Sequence, residues 1–228
     1  NLLTAMLGNA TLMRLDLPPQ SPLLESLAEI ETAAHRAAKL CQQMLAYAGV
    51  SPLRLQAMDL NALLADMEAL LRVSRQDQCQ LVLNLGKPLA WVRADANQLQ
   101  QVVLNLVINA AEALGARAGR ITVGTREAEI AQADFRHWVH APHLPGGRYV
   151  LLEVCDTGPG MTPEVKAHLF EPFFTTKFTG QGLGLAATLG IVRAHGGAIG
   201  VESAEGRGTT FRIALPACAA PAAAPGCA

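Results

Sequence analysis

Hydrophobic residues in the first fifty positions recur every three or four residues, which places them on one face of an α-helix. The first segment stops at Pro18-Pro19, and the second follows Ser21-Pro22, a capping serine with a proline suited to the first helical turn. Gly49 ends the second segment, with Pro52 just beyond it. The two seams comprise Leu3, Met6, Ala10, Met13 and Leu17, and then Leu23, Leu27, Ile30, Ala34, Ala37, Cys41, Met44 and Ala48.

The two seams predict an antiparallel helical hairpin over residues 1–50. Because a hairpin cannot bury a seam on each helix by itself, we expect two copies to pair as a four-helix bundle, which makes the protein a homodimer. The alternative is that the hairpin packs against the second domain of its own chain.

From residue 53 onward, short alternating segments lie between helical ones. Strands are predicted at 53–59, 79–85, 91–93, 119–126, 148–156, 198–203 and 208–215, and helices at 60–72, 97–114 and 185–194. We expect 119–126 and 148–156 to pair at the centre of a sheet, and the last two strands to form a hairpin. This division predicts a second domain at 53–216 and a flexible Ala/Pro tail at 217–228.

Composition narrows the classes of partner. Half of the 228 residues are hydrophobic and the net charge is −1, which gives no reason to expect nucleic acid or an anionic membrane as a partner. No apolar run approaches the roughly 20 residues that a membrane span needs. The five scattered cysteines indicate reduced thiols in a cytoplasmic protein. Because the chain begins with Asn1 rather than methionine, we expect a fragment, whose upstream regions leave membrane attachment open.

The polar stretch 127–147 contains His137, His140 and His143 at three-residue spacing. Such spacing could suit zinc, but prolines lie nearby and no cysteine is close. We therefore favour a surface loop for this stretch and assign no metal to it.

Two asparagines, Asn105 and Asn109, lie four residues apart in the predicted helix 97–114 and therefore share one face. In so apolar a helix, an asparagine has poor propensity and carries a desolvation cost unless a partner bonds it. They are either surface residues or donors of neutral oxygens to a cation. Magnesium suits the second interpretation, because it keeps several waters and takes its charge balance from bound phosphates.

Glycines punctuate the stretch from Asp156 to Leu185, in two turns separated by an aromatic segment that ends at Lys177. Glycine lets backbone amides approach phosphate oxygens, and the helix that begins at Leu185 would point its positive end at them. Either turn alone is more often a plain turn. Together they indicate a hinged lid over a nucleotide.

Five motifs, in this order, resemble the N, G1, F, G2 and G3 boxes of sensor histidine kinases of two-component systems. They are Asn105-x-x-x-Asn109, Asp156-x-Gly158-x-Gly160, the segment Phe170 to Phe174, Gly180-x-Gly182-Leu183-Gly184-Leu185 and Gly208-Thr209. The resemblance covers residues 53–216. It implies an α+β fold, in which the hairpin precedes a Bergerat-type ATP-binding α/β sandwich with a mixed sheet on one side, helices on the other, and ATP between the helices and the lid.

The resemblance implies a role for each position near the base and the metal. Asp156 would accept a hydrogen bond from the adenine amino group, with Thr209 behind the base. Gly158 and Gly160 would let the backbone pass the base. The cofactors would be ATP and Mg²⁺, with the metal facing Asn109 and Asn105, the second of which is also a catalytic candidate.

At the phosphates, the resemblance implies a cradle of backbone amides with Lys177 as charge partner on the lid. The cradle comprises Gly180, Gly182, Leu183, Gly184 and Leu185. Many members of the family carry a basic or aromatic residue three or four positions after the second asparagine. Here those positions hold Glu112 and Ala113, so the usual phosphate contact is in doubt.

The start of the chain, Asn1-Leu2-Leu3-Thr4-Ala5, resembles the residues just after the phosphoacceptor in hybrid-type members whose motif reads His-Asp-Phe-Asn-Asn-Leu-Leu. On that register the phosphorylated histidine lies four residues before Asn1. Asn1 would then lie one helical turn after the acceptor and help to orient water for dephosphorylation of the partner. His35 is the only histidine in the hairpin, but it lies on the second helix, where the family has no acceptor.

The activity implied is transfer of the ATP γ-phosphoryl group to a histidine and then to an aspartate of a response-regulator receiver domain. Three rivals remain. A gyrase-like or mismatch-repair-like ATPase would need a glutamate at the position of Asn105 to take a proton from water, which an amide cannot do. A scaffold that binds no nucleotide would leave the glycines and both asparagines unexplained. A protein that acts mainly as a phosphatase on its regulator is the third.

Overall fold

The computed structural model describes residues 2–18, 20–47, 53–73, 79–139, 144–177 and 182–221. It begins with two helices, α1 (Leu2–Asp16) and α2 (Leu23–Tyr47), which pack against each other. An ion pair of 3.2 Å joins Arg14 on α1 to Glu31 on α2. These helices coincide closely with the two segments that the hydrophobic seams predict.

The two seams are only partly covered within one chain. Ala10, Leu27 and Ala34 are buried, whereas Met6, Met13 and Ile30 are each more than half exposed. α2 also contacts the helix Gly184–Ala194 of the second domain, so the alternative of packing against the same chain holds for part of α2. The remaining exposed side chains leave an apolar surface on these helices.

Residues from 53 onward form a sheet with helices against it. Its strands are β1 (Gln56–Met58), β2 (Cys79–Leu85), β3 (Trp91–Ala94), β4 (Gly119–Ile130), β5 (Gly147–Asp156), β6 (Ala198–Ser203) and β7 (Thr209–Cys218). The helices are α3 (Leu60–Asp66), α4 (Glu68–Val73), α5 (Ala96–Leu114), α6 (Pro163–His168) and α7 (Gly184–Ala194), and a short 3₁₀ helix spans Asp134–His137. Among the described residues, no helix combines the length and the apolar character that crossing a bilayer requires.

The described strands form one seven-stranded sheet in the order β1-β3-β7-β5-β4-β2, with β6 also paired to β7. β2 runs parallel to β4, whereas the other pairs are antiparallel. The mixed sheet, the β4–β5 pairing and the β6–β7 hairpin confirm the prediction. β7 pairs with three different strands, because its last residues reach β3 after its earlier ones have paired with β5 and β6.

Local signals set the helices that carry the site. The side chain of Asp59 accepts from the N–H of Asn61 at 2.8 Å and so caps α3, which begins at Leu60 as predicted. Asp95 caps α5 in the same way, through the N–H groups of Asn97 and Gln98. α5 then lays its apolar face on the core between the sheet and the helices, with Leu99, Val102, Val103, Leu106, Val107, Ala110, Ala111 and Leu114 buried.

The strand predicted at 53–59 is shorter and spans Gln56–Met58. Three further predicted boundaries are wrong. The helix predicted at 60–72 is interrupted at Met67, whose N–H bonds back to Leu63 as α3 ends, so the segment forms two short helices. β7 continues to Cys218, past the predicted start of the tail, because Ala217 and Cys218 pair with Val92 and Trp91 of β3. The third wrong prediction is the surface loop over residues 127–147.

The stretch 127–147 is not simply a surface loop. Its first residues continue β4 to Ile130, which pairs with Gly147. Phe135, Leu144 and Trp138 then pack with Tyr149 of β5 into a second, smaller core. Since Tyr149 alternates along β5 with residues of the main core, this small core lies on the opposite face of the sheet. Of the three histidines in this stretch, His140 and His143 lie outside the described residues.

Candidate functional site

A cavity of ≈790 Å³ lies between α5, the loop after β5, the segment before Lys177 and the start of α7. Its size falls in the range of about 300–1,000 Å³ that small-molecule sites occupy. The predicted site residues that line it are Asn105, Asn109, Asp156, Gly160, Lys177, Gly182, Leu183, Gly184, Leu185 and Thr209. Asn1 and Gly180 lie outside the described residues.

One end of the cavity is built around Asp156, the last residue of β5, which is only 6% exposed. Its Oδ1 accepts from the backbone N–H of Gly158 at 2.8 Å, and the N–H of Thr209 also donates to this carboxylate. Burial raises the pKa of Asp156, while the two backbone donors act to lower it. Gly158 therefore contributes by orienting the carboxylate rather than by lining the cavity.

Two loops meet behind this end with no room for side chains. A Cβ on Gly160, whose φ is +71°, would lie 2.0 Å from the carbonyl oxygen of Ala204. A Cβ on Gly208, at φ +76°, would lie equally close to the carbonyl oxygen of Asp156. The N–H of Gly206 also donates to the carbonyl of Pro159 at 2.6 Å. Glycine is therefore required on both sides of this contact.

The two asparagines of α5 also line the cavity. The amide nitrogen of Asn105 donates to the carbonyl oxygen of Gly184 at 3.2 Å, which ties α5 to the first residue of α7. The carbonyl oxygen of Asn109 accepts from the ammonium group of Lys177 at 3.4 Å. The structure thus brings both asparagines and Lys177 to one place, as the sequence predicts.

The segment that carries Lys177 is held at its base by a backbone contact. The N–H of Phe173 donates to the carbonyl oxygen of Gly182 at 2.9 Å. Phe173 itself adopts a φ of +68°, and a Cβ on Gly182 would lie 2.4 Å from the carbonyl carbon of Phe173. Gly182 then leads through Leu183 into α7, whose N-terminus has no side-chain cap at Leu183 and lines the cavity.

Residues 94–219, more than half of the chain, match the family described as "Histidine kinase-, DNA gyrase B-, and HSP90-like ATPase". The sensor kinase CckA of Brucella abortus (strain 2308) is 38% identical over 218 residues, which cover 95% of this chain and 23% of that protein. The chain belongs to the sensor histidine kinase family. The sensory histidine kinase/phosphatase NtrB of Rhizobium meliloti (strain 1021) is 33% identical over 223 residues, or 95% of this chain and 55% of NtrB.

The fold of this chain is also found among solved structures. Full-length ShkA in complex with AMPPNP superposes with a TM-score of 0.74 at 26% identity, covering 96% of this chain and 44% of that one. The chain therefore has the ATP-binding fold of its family. It spans between about a quarter and about half of the length of these relatives.

Two residues of the site, Ser203 and Glu112, make contacts that the sequence does not predict. Ser203 accepts from the N–H of Met161 at 2.9 Å and donates to the carbonyl of Gly208 at 3.0 Å, so it joins the two loops behind Asp156. Glu112 departs from the family pattern, and it forms an ion pair with Lys177. A serine at the end of a strand and a glutamate on a helix do not by themselves indicate such contacts.

Proposed function

We propose that this chain is the catalytic core of a sensor histidine kinase, which binds Mg-ATP and transfers the γ-phosphoryl group to a histidine for relay to a response-regulator aspartate. The observation that carries the proposal is the layout of one cavity. The same cavity is lined by a buried, oriented carboxylate, by two carboxamides and by the N-terminus of a helix. ATP is complementary to these groups, because its adenine is a neutral base with an amino donor and its triphosphate concentrates negative charge.

At the base, Asp156 would accept a hydrogen bond from the adenine amino group. Guanine carries a carbonyl oxygen at the corresponding position, so it would face the carboxylate with a second acceptor. A hydrogen bond to a charged group contributes about 1.5–3 kcal/mol, which is enough to select one base over the other. Thr209 would lie beside the base, because its own N–H holds the same carboxylate.

At the phosphates, the donor set fits a magnesium ion. Asn105 and Asn109 offer neutral oxygens, and the ammonium group of Lys177 already lies against the oxygen of Asn109, so the position accepts a cation. When bound, Mg²⁺ would neutralise charge that develops on the transferred phosphoryl group. The amides of Gly182, Leu183 and Gly184 would offer donors to the same oxygens. Gly180 and Leu185 complete the proposed cradle.

The hairpin would supply the acceptor and the dimer. Large apolar side chains stay exposed on α1 and α2, among them Leu12 and Leu15 at 61% and 77%. A second copy of the hairpin would cover them in a four-helix bundle. We place the acceptor histidine four residues before Asn1 and give Asn1 the water-orienting position after it. A receiver domain would then approach this end of the bundle.

Transfer from ATP tests the central claim. A chain that includes the residues preceding Asn1 is expected to take label from γ-labelled ATP in an acid-labile, base-stable form, as phosphohistidine does. Changing the acceptor histidine should abolish that label. Labelling at His35 instead would contradict the proposed register. Transfer from the labelled chain to candidate receiver domains would identify the partner.

A second candidate is a protein that mainly dephosphorylates its regulator. It is favoured by the relative NtrB, which is named a kinase and a phosphatase. Incubation of a phosphorylated receiver domain with this chain and ADP would measure that activity directly. An Asn1→Ala variant should lose it while ATP binding stays unchanged.

A further inference from the structure

The charges around the cavity do not favour an anionic ligand. Among the described residues that line it, the charged ones are Lys177, Glu112 and Asp156. One positive and two negative side chains leave a net charge of −1 around a site for a triphosphate. Lys177 is moreover already paired with Glu112. Phosphate binding at this site therefore needs a positive charge from elsewhere.

Glu112 and Asn109 both accept hydrogen bonds from the ammonium group of Lys177. They lie three residues apart on α5, so their side chains project from the same face of the helix. The ammonium group of Lys177 donates to an oxygen of each, at 3.4 Å to Asn109 and in a short contact to Glu112. A lysine ammonium is a compact point charge. Its position therefore marks where an amide oxygen and a carboxylate oxygen converge on one positive charge.

The pair between Lys177 and Glu112 can be exchanged easily. The two side chains are 37% and 50% exposed, and an ion pair so open to water contributes little to stability. A triphosphate carries more negative charge than the single carboxylate of Glu112, so it can compete for the ammonium group of Lys177. A nucleotide can therefore draw Lys177 away. If it does so, Glu112 is left as an unpaired carboxylate beside the phosphates, which is unfavourable unless a cation replaces the ammonium group.

We propose that Glu112 is a cation ligand of this site, which takes Mg²⁺ together with Asn109 once Lys177 has moved to the phosphates. This inference rests on the proposed binding of Mg-ATP. It adds a charged oxygen to a metal site otherwise made of carboxamides. Affinity for ATP then depends strongly on the metal, since Glu112 repels the phosphates without it and attracts the bound cation with it.

Calorimetric titration of ATP, in excess magnesium chloride and separately in EDTA, measures this dependence. For Glu112→Gln, we expect tighter binding in EDTA and weaker binding with magnesium. The ratio of the two dissociation constants should shrink by about tenfold, which corresponds to about 1.4 kcal/mol. Glu129→Gln is the matched control. Glu129 lies eight residues along β4 from Ile121, the partner of Asp156, at a distance of about 26 Å.

A double variant separates this role from a simpler one, in which Glu112 acts only by holding Lys177. In a Lys177→Met background, Glu112→Gln should still change the magnesium dependence of ATP affinity if the Glu112 carboxylate faces the metal. The same tenfold reduction of the ratio there supports the proposal. Loss of the effect in that background overturns it, as does an unchanged ratio in the single variant.

The wild-type titration keeps this inference distinct from the proposed function. If the wild-type chain binds ATP but Glu112→Gln leaves the ratio unchanged, only the role of Glu112 is refuted. If the wild-type chain binds no ATP in either buffer, the proposed function falls and this inference with it. Thermal melting followed by circular dichroism should give the same midpoint for Glu112→Gln and wild type, because the side chain is half exposed.

Discussion

Asp156 is a buried carboxylate residue, with only 6% of its surface exposed to water. Desolvation raises its pKa above the ordinary value of 3.8, although two backbone donors partly offset this. Because the folded chain then binds the proton more tightly than the unfolded chain, stability falls as pH rises from about 3.8 through the raised value. The residue therefore costs stability at neutral pH, which is the pattern expected of a binding group rather than of a structural one.

Replacing Asp156 by Asn should weaken ATP binding by about 10- to 100-fold, the loss expected for a hydrogen bond to a charged acceptor. The amide oxygen can still accept from Gly158 and Thr209, but its NH₂ group would then face the adenine amino group. The fold should not be destabilised, because no charge remains buried. Calorimetry with ATP and GTP, together with a melting curve, measures both effects. An unchanged ATP affinity would remove Asp156 from the site.

Gly182 provides a second prediction at this scale. The Cβ of an alanine there would lie 2.4 Å from the backbone of Phe173, and the φ of +65° is unfavourable for alanine. Gly182→Ala should therefore displace the base of the segment that holds Lys177 and lower ATP affinity at least severalfold. Gly196→Ala is a matched control, since Gly196 has a φ of +63° with nothing within 4 Å of the added Cβ. It should lower the melting temperature but leave the dissociation constant unchanged. Equal effects of the two variants on ATP affinity would contradict this interpretation of the contact.

Among the elements, α7 links the cavity to the rest of the molecule. Its first residue contacts Asn105, its flank contacts α2, and its C-terminal cap is His195. The Nδ1 of His195 donates to the carbonyl oxygen of Ile191 at 2.8 Å, and its Nε2 accepts from the N–H of Asp95 at 2.9 Å. A neutral imidazole thus joins the end of α7 to the cap of α5.

This bridge predicts a pH dependence of stability. Burial lowers the pKa of His195 from 6.5, so below about pH 6.5 the unfolded chain gains a proton that the folded chain does not. Stability should therefore fall as pH falls below 6.5. In His195→Gln this contribution is lost, so the difference in melting temperature between wild type and variant should be largest at pH 7.5 and smaller at pH 5.5. A constant difference across that range would show that His195 does not titrate as described.

The sequence predicted the elements better than their contacts. Asp59 and Asp95 are local capping signals, and each begins a helix where predicted. By contrast, the stretch 127–147 has a polar sequence. Its fold depends on Trp138 packing over Gly200, which is distant in sequence. The pair of Lys177 and Glu112 also spans 65 positions. Residues joined only by the folded chain leave no periodic pattern from which they could be predicted.

At the scale of the whole molecule, we predict that the helices α1 and α2 join two copies of the chain. The seam residues Met6 and Met13 are 56% and 58% exposed. In a four-helix bundle they would be buried against the second copy, which would stabilise the dimer by about 1.5–3 kcal/mol for each fully buried side chain. The same surface would remain in water if the chain were monomeric.

Light scattering coupled to gel filtration tests the dimer. The wild-type chain should have twice the mass of one copy, and Met6→Lys combined with Met13→Lys should have the mass of a monomer. Val139→Lys, which changes an exposed apolar residue outside these helices, should remain dimeric. A monomeric wild-type chain at concentrations of tens of micromolar would contradict dimerisation through α1 and α2.

β7 has a consequence for how the protein is made in the cell. Of the described strands it comes last in the sequence, yet β3, β5 and β6 all pair with it. Roughly 150 residues separate β1 from β7, so at about 5–20 residues per second the ribosome needs about 8–30 s after β1 to supply the strand that joins β3, β5 and β6. Until then Thr209 is missing as well, and the pocket has no wall beside Asp156. Incomplete translation products would therefore bind no nucleotide, and an interrupted message would yield an inert chain rather than an unregulated enzyme.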